Sequence, residues 1–370
     1  MPRHIQAAVC EGGGAPPKIE TLNLDDPAPD EVVIKIEAAG ICHTDLGIAQ
    51  WSESPRVFGH EGAGIIVEVG TAVKAFKKGD RVVATFGFCG DCPNCGDGRP
   101  AYCFDGIALN IEGMRAAGRP SLTRQDGSPV GGSFFQQSSF ATHAIVTERN
   151  IVRIPDALDM VSAAPLGCGI QTGAGAVFNQ IGAKPDRPLL VVGIGAVGCA
   201  AIMAGKIIGC NEIIAVELRP ERRELALELG ATHVLDGADA DWSEKVRILT
   251  QGGVTAALDT AGTQRTFEAC LAALHSGGSL GVLTIPGEFE ASIPHPGGID
   301  FMTKTIVGII EGDAVPAEFL PLLISYFASG DLPVDRLIKT YPFEKIADAM
   351  DDAAKGKVIK PVLTFEDAIS

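Results

Sequence analysis

Short apolar segments, separated by glycine and proline, make up most of the first 150 residues. Several combine β-branched residues with alternating apolar and polar positions, a pattern that predicts strands. The clearest of these segments are 31–36, 64–69, 80–84 and 141–146. The pattern therefore predicts a compact, mostly β domain at the start of the chain.

From about residue 189 the pattern changes, because apolar runs begin to alternate with longer helical stretches. Such alternation predicts a parallel sheet with crossover helices. The runs are 189–193, 196–209, 212–217, 220–229, 254–259, 264–274 and 279–283. The remaining chain offers a strand at 305–309, helices near 316–328 and 343–354 and a last strand at 359–365, which could complete either domain.

Length and composition agree with two globular domains. The 370 residues exceed the roughly 250–300 that one hydrophobic core usually holds. No apolar run approaches the roughly 18 residues that span a bilayer, and no secretory signal is visible, so we expect a cytoplasmic protein. The glycine run 12–14 and the acidic segment 236–244 fit a turn and a solvated helix start better than binding sites.

The formal net charge of −16 sets up a field that repels phosphate backbones and anionic membrane surfaces. The sequence shows no basic run that would offset this repulsion. We therefore expect a small-molecule ligand, and neither nucleic acid nor a membrane as a partner.

Four of the ten cysteines are clustered with the spacing Cys89-x2-Cys92-x2-Cys95-x7-Cys103. In a cytosolic chain such clustering favours metal over disulfides. Four thiolates can surround a tetrahedral zinc ion and leave no open position, so the site would be structural. An iron–sulfur cluster is the alternative, because C-x2-C-x2-C also serves such clusters, although the Cys-Pro that often completes them is absent.

A second set of metal-ligand residues is dispersed along the chain: Cys42, His60 and Cys168. A catalytic zinc needs three protein ligands and one open position, and two thiolates with one imidazole meet that need. Each residue alone is as well explained by packing in a core. Their separation in sequence leaves open whether they converge.

A buried-type strand, 189–192, runs into the motif Gly193-x-Gly195-x-x-Gly198 and then into a helix. The three glycines allow a tight turn, close approach to a pyrophosphate and close packing of helix on strand. Glu217 ends the next predicted strand, where its carboxylate can bind the ribose 2′-hydroxyl and repel a 2′-phosphate. NAD is therefore favoured over NADP, although Arg219 and Arg222 could accommodate that phosphate.

Taken in this order, the motifs resemble the zinc-containing medium-chain alcohol dehydrogenase family along nearly the whole chain. The run G-H-E-G-A-G at 59–64 and the run G-K-V-I-K-P at 356–361 strengthen the resemblance. It implies an α/β protein with a GroES-like, mostly β catalytic domain at 1–170, which carries a structural zinc lobe at 89–103. A Rossmann NAD-binding domain at 171–309 and a segment at 310–370 that completes the catalytic domain would follow.

The resemblance also implies roles for individual residues. Cys42, His60 and Cys168 would bind the catalytic zinc, as in the known Cys2His sites of alcohol dehydrogenases, and Cys89, Cys92, Cys95 and Cys103 the structural zinc. Around the catalytic zinc, Asp45 would orient His60, Glu61 would stand behind the metal, and Thr44 would take the alcohol proton. Toward NAD, the implied contacts are Gly193, Gly195, Val197, Gly198, Glu217, Arg222, Thr172, His43 and Lys360. Of these, His43 and Lys360 would lie near the pyrophosphate, and Thr172 and Val197 would press against the nicotinamide. In well-known branches a histidine five residues after the first ligand cysteine ends the proton relay, but this chain has Gly47 there.

Within the family, segments 134–142 and 165–175 look most like the aryl-alcohol (benzyl alcohol) and geraniol dehydrogenases. The expected reaction is reversible oxidation of a primary aromatic or allylic alcohol to the aldehyde, by a homodimer or homotetramer. Expected pocket walls are Trp51, Phe86, Phe140 and Ile285. The alternatives are a glutathione-dependent formaldehyde dehydrogenase, a zinc-free quinone reductase and, from another class, a zinc-ribbon module that binds nucleic acid.

Overall fold

The computed structural model describes residues 3–115, 117–283 and 303–365. The chain forms two compact units. The first comprises Met1–Cys168, Val315–Ala328 and Val334–Ser370, and the second comprises Gly169–Ala314 and Ser329–Pro333. The expected Ile285 lies outside the described residues.

The first unit is mostly β and is built on two sheets. Its strands before residue 168 are β1 Arg3–Cys10, β2 Lys18–Leu24, β3 Glu31–Gly40, β4 Arg56–Val57, β5 Glu61–Val69, β6 Arg81–Ala84, β7 Leu122–Thr123, β8 Pro129–Val130, β9 His143–Thr147 and β10 Ile151–Arg153. Its helices there are α1 His43–Trp51, α2 Pro93–Gly96 and α3 Met160–Ala163. The mostly β domain that the sequence predicted is therefore present.

The second unit contains one six-stranded parallel sheet with helices between its strands. Its helices are α4 Gly169–Gly175, α5 Ala196–Ile208, α6 Pro220–Leu229, α7 Trp242–Leu249 and α8 Gln264–Ala273. Its strands are β11 Leu189–Val192, β12 Ile213–Glu217, β13 His233–Asp236, β14 Val254–Asp259, β15 Leu274–Val282 and β16 Thr305–Gly308. The spatial order β13-β12-β11-β14-β15-β16 is the 3-2-1-4-5-6 order of a dinucleotide-binding Rossmann sheet.

The end of the chain supplies α9 Pro316–Ser329, β17 Ile338–Pro342, α10 Ile346–Ala354 and β18 Lys360–Thr364. β18 pairs with β3 and thereby joins the seven-stranded sheet of the first unit, in which β10, β6, β5, β3, β18 and β17 follow one another and β9 also pairs β3. The other sheet has the order β4-β1-β2-β7-β8. The sequence pattern did not show which domain this tail completes. The pairing of β18 with β3 puts the last strand in the first unit.

β3 explains why the first unit has a large core. Eight of its ten residues are buried, so both faces of the strand are covered and both carry apolar side chains. In the second unit, all four residues of β11 are buried, as expected for the central strand of a parallel sheet. No helix in the described part of the chain is long and apolar enough to cross a membrane.

The units divide close to the predicted boundaries but not at them. Cys168 is the last residue of the first unit, two positions before the expected end at 170, and residues 310–314 belong to the second unit. Residues 310–314 belong to the second unit because they pack on it. For example, Asn179 of the second unit donates a hydrogen bond of 3.0 Å to Gly312 O.

Candidate functional site

Three dispersed residues converge in the first unit. The ligand atoms of Cys42, His60 and Cys168 all lie within 4.8 Å of one another. His60 Nε2 is buried and makes no hydrogen bond within the described part of the chain. A buried ring nitrogen without a hydrogen bond is costly unless something binds it. The donor set and this unsatisfied nitrogen fit a metal ion with three protein ligands.

Asp45 fixes the orientation of the imidazole. One carboxylate oxygen, Oδ1, lies 2.9 Å from His60 Nδ1 and accepts a 3.0 Å hydrogen bond from Gly59 N, while Oδ2 accepts from Cys42 N at 2.9 Å. Asp45 is fully buried on α1. Because the carboxylate holds Nδ1–H, Nε2 is left for a metal. Asp45 therefore links two of the three expected ligands.

The two cysteines are held by local backbone structure. Cys42 precedes the first turn of α1, and its sulfur lies 3.7 Å from Thr44 Oγ1. Cys168 follows Gly167, which packs so closely that a Cβ there would lie 2.0 Å from Ala84 O. A hydrogen bond with Cys168 lowers the pKa of Cys42 well below its ordinary value, against the opposing effect of burial. A low pKa favours the thiolate, the form that binds zinc.

Glu61 and Lys360 form a buried ion pair beside this cluster. Lys360 Nζ lies 2.7 and 2.8 Å from the two carboxylate oxygens and 3.2 Å from Ile41 O. Burial lowers the pKa of Lys360, but the Glu61 carboxylate and its neighbours outweigh this effect and raise the pKa above its ordinary value. The expected contact of Lys360 with a pyrophosphate stays a prediction, while its bonds to Glu61 are a role that the sequence did not indicate.

Two phenylalanines pack on His60 from an unusual backbone segment. The Phe135 ring stacks on the imidazole with centroids 4.4 Å apart, and the Phe134 ring meets it edge-on at 5.5 Å. Phe135, Gln136 and Ser138 have φ angles of +50°, +55° and +50°. Non-glycine residues adopt such angles rarely, and mostly where function or packing holds them there. The segment thus packs two buried aromatic rings against a residue of the candidate metal site.

The four clustered cysteines also converge. Their sulfurs lie within 4.8 Å of one another, with Cys89 3.4 Å from Cys103 and 3.9 Å from Cys95. A tetrahedron with metal–sulfur bonds of ~2.3 Å has edges of about 3.8 Å, so these separations fit one ion better than a cluster. Backbone hydrogen bonds, first from Phe104 and then from Cys95, lower the pKa of Cys92 to about 6.

The glycine-rich turn has the geometry that its sequence predicted. Gly193 has φ +86°, and a Cβ on Gly198 would lie 1.9 Å from Gly193 O. A Cβ on Gly195 would meet no atom within 4 Å, so open space lies before the start of α5. These are the features of a pyrophosphate cradle at a helix N-terminus.

Glu217 ends β12 and is 8% exposed. Its carboxylate accepts hydrogen bonds from Ile194 N at 2.7 Å and from Arg219 N at 3.0 Å. The carboxylate therefore lies beside the glycine-rich turn, and its contact with a ribose stays a prediction. The guanidinium of Arg219 lies 3.8 Å from the carboxylate of Glu221, which is exposed.

Comparison with known proteins decides the family. The model of the alcohol dehydrogenase GroES-like domain matches residues 28–156, and that of the zinc-binding dehydrogenase matches residues 196–328. Geraniol dehydrogenase from Castellaniella defragrans is 40% identical over 97% of both chains. The NDMA-dependent alcohol dehydrogenase from Amycolatopsis methanolica is 33% identical over 97% of this chain and 98% of its own. The crystal structure of benzyl alcohol dehydrogenase from Acinetobacter calcoaceticus has a TM-score of 0.91 and 36% identity, over 98% of this chain and 99% of that one.

The chain belongs to the zinc-containing medium-chain alcohol dehydrogenase family. This membership confirms the predicted fold, a GroES-like domain with a Rossmann domain. The four cysteines lie inside the GroES-like match, so they are part of a dehydrogenase and not of an independent zinc-ribbon module. The chain is therefore an enzyme that oxidises alcohols.

The other residues expected from the resemblance lie in one unit or the other. In the second unit Gly173, which follows Thr172, packs on Val197, because a Cβ on Gly173 would lie 2.0 Å from Val197 O, and Arg222 is half-buried on α6. In the first unit His43 is exposed and Thr44 half-buried on α1. Their contacts with coenzyme or substrate stay predictions.

The pocket walls expected from the sequence did not include the two aromatic residues that pack on His60, Phe134 and Phe135. Phe86, Phe140, Phe134 and Phe135 all belong to the core of the first unit, but only Phe134 and Phe135 have a ring contact with His60 among the described contacts, and Trp51 is 82% exposed at the end of α1. The sequence analysis included Phe134 and Phe135 only within the segment 134–142. Their contact with His60 depends on the left-handed backbone of Phe135, for which the sequence offers no glycine as a signal.

Proposed function

We propose that this enzyme oxidises primary aromatic or allylic alcohols to aldehydes, with a catalytic zinc and with NAD+ as the hydride acceptor. The proposal rests on His60, which combines a candidate metal-binding nitrogen with an aromatic neighbour. Its free Nε2 faces the Cys42 and Cys168 sulfurs, and its ring stacks on Phe135. A metal-activated CH2OH group and an adjoining aromatic ring or C=C bond would suit such a site.

When bound, zinc would supply Lewis-acid activation of the alcohol, and NAD+ would accept the hydride. Cys42, His60 and Cys168 would hold the metal. Asp45 keeps the proton on His60 Nδ1 and so leaves Nε2 as the ligand atom. The Thr44 hydroxyl, next to the Cys42 sulfur, would accept the alcohol proton while its own proton passes on to water.

The second unit would bind NAD+ through the turn Gly193–Gly198 and through Glu217. The open space at Gly195 suits a pyrophosphate, and the carboxylate of Glu217 suits the two ribose hydroxyls of an unphosphorylated adenosine. We further propose a second, structural zinc held by the cysteines of residues 89–103, since their sulfurs have the separations of one tetrahedral ion.

Self-association into a homodimer or homotetramer is a further part of the proposal. β16 ends the strand order of its sheet and pairs with β15 alone among the described strands. Ile306 on this strand is 41% exposed. An apolar edge strand is a site where another chain can pair. Light scattering of the purified protein tests this, and a monomeric mass would exclude it.

The test of the substrate class is a panel of alcohols with NAD+ as the sole acceptor. We expect kcat/KM to fall steeply from benzyl alcohol and geraniol to ethanol, because a short chain gains little from an apolar pocket. Formaldehyde with glutathione tests the alternative substrate, and a parallel series with NDMA tests whether this chain shares the acceptor of its Amycolatopsis relative. Equal kcat/KM values for ethanol and benzyl alcohol would contradict the aromatic and allylic class.

A further inference from the structure

A tight turn after β16 has an unusual backbone. Glu311, Gly312 and Asp313 have φ angles of +49°, +67° and +50°, so three consecutive residues are left-handed. Only the middle residue is glycine, the residue that adopts such angles without strain. Glu311 is also 9% exposed, so a carboxylate is buried at a strained position. Strained residues persist where surrounding structure holds them, and they cluster at functional sites.

The second unit holds this turn from several sides. A Cβ on Gly312 would lie 2.5 Å from Gln171 O and 2.8 Å from Gly175 Cα, so the turn packs directly on α4. Asn179 donates to Gly312 O at 3.0 Å, and Gln180 donates to the Asp313 carboxylate. These contacts fix the backbone of the turn, and with it the position of the Glu311 side chain.

The Glu311 carboxylate lies against two residues of α4. Gln171 Nε2 donates to Glu311 Oε2 at 3.1 Å, and Thr172 Oγ1 lies 3.5 Å from the same oxygen. Gly173, the next residue of α4, packs against Val197, because a Cβ there would lie 2.0 Å from Val197 O. The turn thus contacts Thr172, which the family resemblance puts against the nicotinamide together with Val197.

We propose that Glu311 is a positioning residue for the nicotinamide end of the coenzyme. Its carboxylate holds the Thr172 hydroxyl, and because hydroxyl and methyl branch from one Cβ, it also fixes the methyl group. Gln171 holds the same carboxylate from the neighbouring position. The inference rests on the proposed use of NAD, and it adds a residue that acts through Thr172.

The test compares two probes, NADH and ADP-ribose, which share all groups except the nicotinamide ring and its amide. Glu311→Gly removes the carboxylate and places at φ +49° the residue best suited to it, so the turn keeps its backbone. Glu311→Gln keeps an oxygen that can accept the same bonds. Asp313→Asn is the matched control, because it changes a carboxylate in the same turn to which Gln180 donates, and asparagine tolerates left-handed backbone.

Dissociation constants are measured by titration with the folded holoenzyme. We expect Glu311→Gly to weaken NADH binding about tenfold, as for loss of a hydrogen bond to a charged group, and to leave ADP-ribose binding within about twofold. Glu311→Gln should restore NADH binding to within about threefold of wild type, since its oxygen accepts the same bonds. Asp313→Asn should change neither constant.

Two results would overturn the inference. Equal weakening of both probes in Glu311→Gly would mean that the turn supports the fold of the second unit as a whole. Unchanged NADH binding would mean that the carboxylate has no role toward the nicotinamide. Failure of the wild-type enzyme to bind NADH would instead overturn the proposed coenzyme, and this result is obtained before any variant is compared.

Discussion

Lys360 Nζ lies within 2.8 Å of both carboxylate oxygens of Glu61, although the two residues are 299 positions apart in the chain. The lysine is 2% exposed and the glutamate 0%. Removing one partner of a buried ion pair leaves the other charge without compensation. We expect Lys360→Met to lower the free energy of unfolding by about 3–5 kcal/mol, measured by urea denaturation.

The control for this substitution is Lys355→Met, which removes the partner of Asp351 in an exposed pair. An exposed i,i+4 pair contributes about 0.3–0.5 kcal/mol. Adding Glu61→Gln to Lys360→Met should recover much of the lost stability, because the buried charge is then removed as well. Equal losses for Lys360→Met and Lys355→Met would show that the buried pair has no special effect on stability.

Metal analysis should find two zinc ions per chain. Cys95→Ser should lose one ion and lower the stability of the lobe at 89–103, because metal binding and folding of such a lobe are coupled. Cys168→Ser should lose the other ion and abolish turnover with the fold retained. Cys210→Ser, outside both clusters, should keep both ions. A single zinc, or iron with visible colour, would contradict the two-zinc assignment.

Glu217→Ala should narrow the preference for NAD+ over NADP+, because it removes the carboxylate that repels a 2′-phosphate. Because a charge-assisted hydrogen bond to the ribose is lost, we expect the ratio of kcat/KM for NAD+ to kcat/KM for NADP+ to change roughly tenfold. Glu221→Ala removes an exposed carboxylate nearby and should leave the ratio unchanged. If the wild-type enzyme prefers NADP+, then Arg219 or Arg222 controls the choice of coenzyme instead of Glu217.

We expect a proton relay without its outer histidine, because the resemblance puts a histidine where this chain has Gly47. A Cβ at Gly47 would meet no atom within 4 Å, so Gly47→His has room on α1. We expect Thr44→Ala to lower kcat/KM by roughly 10²–10⁴-fold and Gly47→His to raise activity most at acidic pH. The measurement is the pH profile of kcat/KM with deuterated benzyl alcohol. Near wild-type rates for Thr44→Ala across the profile would exclude proton transfer through Thr44.

Local sequence signals predicted the elements that local physics determines. Helix 220–229 and strand 254–259 match α6 and β14 residue for residue, because proline at a helix start and a run of buried apolar residues are strong signals. β13 and β17 were not predicted. Their residues are mostly half-buried or exposed, so they carry little apolar periodicity and form by pairing with their neighbours.

The candidate site was predictable to the extent that the family motifs identify residues. The three dispersed metal-ligand candidates are assembled, but sequence alone left their convergence open. The Glu61–Lys360 pair and the Phe135–His60 stack depend on long-range packing. The Glu311 turn carries no signal either, because a non-glycine residue at positive φ is set by its surroundings and not by its own preference.

The most direct test of this account is the reduction of NAD+ by benzyl alcohol, followed by absorbance of the reduced nicotinamide before and after removal of zinc. The account predicts that chelation abolishes turnover, that added zinc restores it, and that Cys168→Ser stays inactive in both conditions, because Cys42, His60 and Cys168 lie within 4.8 Å of one another as one ligand set. Turnover that persists in protein shown by metal analysis to be free of zinc would contradict it.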